Sequence, residues 1–147
     1  MGLDMYLSAK RYVSKYSDEE LHAKVNDSLA ALRGPLEINT VVAEAMYWRK
    51  ANAIHNWFVT KCRDGKDECQ EVCVDRAQLV ELRDTCKKVL EDQSLADILL
   101  PPAVGFFFGS TDLDDWYFDT LKNTVERLDL LLSDQFKDWD FYYQSSW

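Results

Sequence analysis

Leu3, Met5 and Leu7 alternate with Asp4, Tyr6 and Ser8, the period of a half-buried strand, and predict a strand over residues 3–13. The period then changes. Leu21, Val25, Leu29 and Leu32 form one helical stripe after a Ser17/Glu20 capping box, and Gly34-Pro35 stops it. Residues 36–46 carry both strand formers (Ile38, Thr40, Val41, Val42) and helix formers (Ala43 to Met46). Tyr47, Ala51, Ile54, Phe58 and Cys62 recur at helical spacing and predict a second helix over about 48–62. A turn at 64–67 and a short strand at 71–74 follow.

Asp75 and Gln78 open a third helix with a core face of Leu79, Leu82, Cys86 and Val89 or Leu90. Pro101-Pro102 forces an extended loop, and Val104 to Phe108 reads as a buried strand. Ser110 or Thr111 then caps a long helix over about 111–133, with Leu113, Tyr117, Leu121, Val125, Leu128 and Leu132 inward and Asp112, Asp115 and Asp119 outward. Trp139 to Trp147 reads as a last strand, a candidate partner for the first. Strands and helices mix without regular alternation. The expected class is α+β: one domain over 1–147, a small, mostly antiparallel sheet, and about four helices packed on it.

Composition narrows the function classes. The formal charge is −9, the opposite of what an electrostatic nucleic-acid binder carries, so no direct nucleic-acid contact is expected. No apolar run is long enough to span a bilayer, and the first residues lack a secretory pattern, which predicts a cytoplasmic protein with no membrane contact. Cys62, Cys69, Cys73 and Cys86 match no zinc spacing and read as free thiols; no metal and no cofactor is expected. The 19 aromatics are many for one small core and leave room for a homo-oligomer.

Two blocks concentrate recognition chemistry. In the first, Trp48, Arg49, Lys50, Asn52, His55 and Asn56 fall within three helical turns. A helix there would align Arg49, Asn52 and Asn56 on one face and Trp48, Asn52 and His55 on the next. Such a surface offers a guanidinium for phosphate, amides for a base edge and an indole for stacking. The second block, Gly105 to Thr111, places Gly109, Ser110 and Thr111 at a helix N-terminus, where free amides attract anions. It lacks the P-loop pattern. Both blocks also fit plain scaffolding, as core aromatics, a hydrogen-bonded His55 and an ordinary capped helix, and the capped helix is the simpler reading of the second. No triad, metal signature or nucleophile elbow is present, so no catalytic residue is assigned.

Four segments together resemble a family of small, uncharacterised phage and prophage proteins: Gly2-Leu3-Asp4-Met5-Tyr6-Leu7, Tyr47 to Val59, Leu100 to Thr111, and Tyr143-Gln144-Ser145-Ser146-Trp147. The resemblance spans most of the chain and is weakest over 62–74 and 17–33. It implies a phage-encoded accessory protein, of the counter-defence kind, in the host bacterial cytoplasm, and supplies no activity.

Three functions follow as expectations. The first is a non-catalytic binder of a nucleotide-like or other phosphorylated ligand, contacted by Trp48, Arg49, Lys50, Asn52, His55, Asn56, Gly109, Ser110 and Thr111. The second is an acidic inhibitor that binds a host protein through Asp112, Asp115 and Asp119. The third is a hydrolase using His55 with an aspartate.

Overall fold

The computed structural model describes residues 2–147. Its centre is a four-stranded antiparallel sheet in the order β2-β1-β4-β3, made of β1 (Asp4–Tyr12), β2 (Thr40–Arg49), β3 (Val72–Val74) and β4 (Asp140–Ser146). The first and last strands pair directly, with Met5 opposite Ser145 and Leu7 opposite Tyr143. Side-chain alternation decides which face is covered. Met5, Leu7, Ala9, Phe141 and Tyr143 point into the core, while Tyr6, Tyr12 and Gln144 point to solvent. The chain is α+β.

The core face is closed by α3 (Asn52–Cys62), α4 (Arg76–Glu91) and α6 (Asp115–Leu131). The Asp75/Gln78 capping box forms, and α4 buries Leu79, Leu82, Cys86 and Val89 as its spacing requires. From α6 come Tyr117, Leu121 and Leu128. Phe58 stacks on Tyr143 at 3.9 Å between ring centroids and meets Trp48 edge-on at 5.8 Å. Short helices α1 (Glu19–Ser28), α2 (Ala30–Arg33) and α5 (Ala96–Leu99) complete the fold.

Several expected elements are corrected. Asp18, not Ser17, caps α1, because its carboxylate accepts from the Leu21 amide. The stripe beyond Val25 does not reach the core: Leu29 interrupts the helix, and Leu32 is 83 % exposed. The buried residue there is Asn26, whose amide donates to the Ile38 and His22 carbonyls and accepts from the Ile38 N–H. It supplies by side chain the pairing that the chain between α2 and β2 lacks.

The ambiguous 36–46 segment and Tyr47 to Arg49 together form β2, so the second helix begins at Asn52 rather than 48. Lys50 turns the chain between them with φ 55°. Val104 to Phe108 is a loop, not a buried strand; Val104 and Phe106 are 90 % and 95 % exposed. An apolar run without a neighbouring strand to bond has no ladder to join. Asp114, not Ser110 or Thr111, caps α6 by accepting from the Tyr117 amide.

Candidate functional site

The two sequence blocks meet, and Asn52 joins them. Its side-chain nitrogen donates to the carbonyls of Phe108 at 3.1 Å and Ser110 at 2.8 Å, and its oxygen accepts from the Ala103 amide at 3.0 Å. A buried amide thus stands in for the missing strand partner of the 103–110 loop. From the other side, the Leu3 amide donates to the Phe107 carbonyl. Gly109 has φ +86°, and a side chain there would come within 3.1 Å of the Lys50 Cβ. Lys50 and Gly109 therefore touch through backbone and stem, not around a ligand.

The crevice where Ala51, Asn52 and Ile54 face Ser110 has a volume of about 10 Å³. That is room for about one water. The remaining members of the expected set divide. Trp48 is buried and donates its indole N–H to Thr124 at 2.9 Å. Arg49 is exposed at the end of β2. Asn56 faces a different hollow, with Trp57, Leu100 and Pro101. The Ser110 hydroxyl donates to Asp112 and accepts from its amide, and Thr111 is exposed.

His55 belongs to a network that spacing along the sequence did not reveal. Its Nδ1 lies 2.7 Å from the Tyr143 hydroxyl and its Nε2 2.8 Å from Asp67. Asp67 also accepts from Arg63, which donates to Ser145 and to the Gln70 carbonyl and lies over the Tyr143 ring. Burial lowers the His55 pKa; hydrogen bonding and charge from Asp67 oppose this, and Arg63 adds to it. Burial raises the Tyr143 pKa and pushes Cys62 up to about 12. Both His55 nitrogens are engaged, the side chain is 1 % exposed, and Phe108 covers it edge-on at 5.1 Å between ring centroids. This ties α3 and β4 to the turn after α3. It leaves no position for a substrate beside the imidazole. The signal for Asp67 was its place in a polar turn, which alone specifies nothing.

The large concavity lies elsewhere. β2 pairs with β1 on one side only, and along its free edge runs an open groove of about 590 Å³. Glu44 to Tyr47 form one wall, and Asn123, Glu126, Arg127 and Leu130 of α6 form the other. A recess of about 220 Å³ continues it past Met46, Tyr47 and Asn123 to Arg49 and Trp116. Trp116 also borders the crevice at Ser110.

Among the described residues no three His, Cys, Asp or Glu side chains converge as a metal cage, and no helix is long and apolar enough to cross a membrane. No family model, no curated protein and no solved structure matches the chain.

Proposed function

We propose that this protein acts by binding another protein along the free edge of β2, without turning over a substrate. The observation that carries this reading is the groove of about 590 Å³ between Glu44–Tyr47 and α6. A free edge presents unpaired backbone N–H and C=O groups, and an open groove beside it suits an extended segment of a partner. The ten residues of β2 give an edge about 33 Å long. Glu44 and Glu126 on its walls, with Arg127 between turns of α6, favour a partner segment of mixed and net positive charge. The resemblance to small phage proteins favours a bacterial host protein as partner and a counter-defence role.

The test fills the groove from α6 alone. Asn123→Trp with Leu130→Arg is expected to keep the melting temperature within a few degrees and to abolish capture of the host protein that the wild type retains. Undiminished capture by the double variant contradicts the reading.

A second reading keeps a small phosphorylated or nucleotide-like ligand and moves it to the recess, where Arg49 and the half-exposed Trp116 stand together. A guanidinium beside an open indole suits a phosphate next to a planar ring. Ligand binding to the native state raises the melting temperature. A nucleotide-dependent shift lost in Arg49→Ala supports this reading; no shift across a nucleotide panel removes it.

A further inference from the structure

We infer that a second copy of this chain covers the first half of the β2 edge, where Thr40–Glu44 pairs antiparallel with the same segment of the copy about a two-fold axis at Val42. The inference goes beyond the protein-binding reading and adds a competitor at the same edge.

The backbone fixes which groups are free. The Val13 amide donates to the Asn39 carbonyl at 2.8 Å, and the register continues with Tyr12 opposite Thr40, Arg11 opposite Val41 and Lys10 opposite Val42. Bonded and non-bonded pairs alternate along an antiparallel ladder. Asn39, Val41 and Ala43 therefore turn their N–H and C=O groups towards β1, while Thr40, Val42 and Glu44 turn theirs outward. A skip in the register at Ala45 ends this regular stretch. The opposite edge of the sheet, β3, is protected by being only three residues long. β2 has ten residues and no Pro, Gly or Lys to discourage pairing.

An axis at Val42 satisfies the free groups with themselves. Val42 then lies opposite Val42 of the second copy, and Thr40 opposite its Glu44, so outward groups meet outward groups. Each pair also keeps its side chains on one face of the joined sheet, with Val41 and Ala43 on the helix side and Val42 on the open side. Val42 is 59 % exposed, and Leu130 of α6, beside Glu44 at the end of the groove, is 47 % exposed. Pairing covers both. A self-complementary contact of this kind closes as a dimer.

Charge selects the register. An axis at Glu44 would set two carboxylates directly opposite one another, which destabilises a strand pair. With the axis at Val42 the two Glu44 residues stand four positions apart, about 13 Å along the strands. That exceeds the Debye length of about 8 Å at physiological salt. The net charge of −9 on each copy still opposes association at low salt. The contact is also far smaller than the roughly 20–30 residues a side of a stable interface. The dimer is therefore weak and reversible, and a partner that takes the whole edge displaces it.

The test is sedimentation equilibrium of the full chain over a wide concentration range, at low and high salt, with disulfide trapping beside it. The average mass should climb towards that of two chains, and the association constant should rise several-fold with salt. Val42→Lys, at an exposed position, should melt with the wild type and weaken association at least tenfold. In a Cys69→Ser, Cys73→Ser background, Val42→Cys should yield an oxidised dimer, because a bonded pair holds its Cα atoms about 5.5 Å apart, within disulfide reach. Glu44→Cys should cross-link far more slowly. The mass of one chain at every concentration overturns the inference, as does unchanged association in Val42→Lys. Failure of Val42→Cys to cross-link, or trapping of Glu44→Cys as fast as Val42→Cys, overturns it too. Each of these outcomes leaves the groove reading standing, which is decided by capture with Asn123→Trp and Leu130→Arg.

Discussion

The side chain of Asn52 bonds the carbonyl of Ser110 at 2.8 Å, across 58 residues of sequence. With its bonds to Phe108 and Ala103, this one amide joins the start of α3 to the loop that carries the exposed Phe106. Asn52→Ala removes the side-chain partner of the Phe108 and Ser110 carbonyls and of the Ala103 amide. At about 1 kcal/mol for each lost bond, the expected destabilisation is about 3 kcal/mol by urea unfolding. Thr111→Ala, at an exposed position, should change stability by less than about 0.5 kcal/mol.

Gly105 makes a sharper local prediction. Gly105→Ala places a methyl group 2.5 Å from the Phe108 ring, so Phe108 must leave its seat on His55. The expected cost is about 1–3 kcal/mol. The His55 ring protons should move in an NMR spectrum because they lose the aromatic edge. An unchanged His55 spectrum would mean that the loop shifts as a unit instead.

The buried imidazole sets a pH dependence. The folded-state pKa of His55 is lowered, so as pH falls below its ordinary value near 6.5 the unfolded chain takes up the proton first. The contribution of His55 to stability is therefore fully present above about pH 6.5 and is lost as pH falls toward the folded pKa. Urea unfolding at pH 7.5 and 5.5 should show a larger acid loss in the wild type than in His55→Asn. An equal loss in both would assign the acid sensitivity to carboxylates.

Thiol labelling separates the cysteines. Cys73 is exposed on β3, while Cys86 is buried in α4 with its pKa pushed up to about 12 by that burial. A maleimide should modify Cys73 in the folded protein and Cys86 only on unfolding, as read by peptide mass spectrometry. Rapid folded-state labelling of Cys86 would contradict the packing of α4 against α6.

The first strand was legible because Leu3, Met5 and Leu7 alternate with polar positions, and the expected last strand over Trp139 to Trp147 forms as β4, paired with β1. The Asp75/Gln78 box was equally direct. Tyr47 to Lys50 misled for a physical reason: a residue placed at i, i+4 on a helix also falls at even spacing on a strand. Tyr47 and Ala51 therefore suit either period until Lys50, at positive φ, divides them. Val104 to Phe108 showed that an apolar run marks burial only where a neighbour exists to cover it. The expected site was half legible. Its two blocks do meet, but Asn52, His55 and Trp48 spend their polar atoms on the fold, and the exposed indole beside Arg49 is Trp116, from α6. Arg63 was invisible because Ser145 and the Tyr143 ring, which it meets, lie about half the chain away, and Asp67 because its place in a polar turn says nothing of the His55 it bonds.

The most direct measurement is hydrogen exchange with the captured host protein bound. If the partner adds a strand to β2, the amides of Thr40–Arg49 should slow, together with the facing turns of α6 from Trp116 to Leu130. Protection confined to other surfaces, with β2 exchanging as in the free protein, would contradict the account.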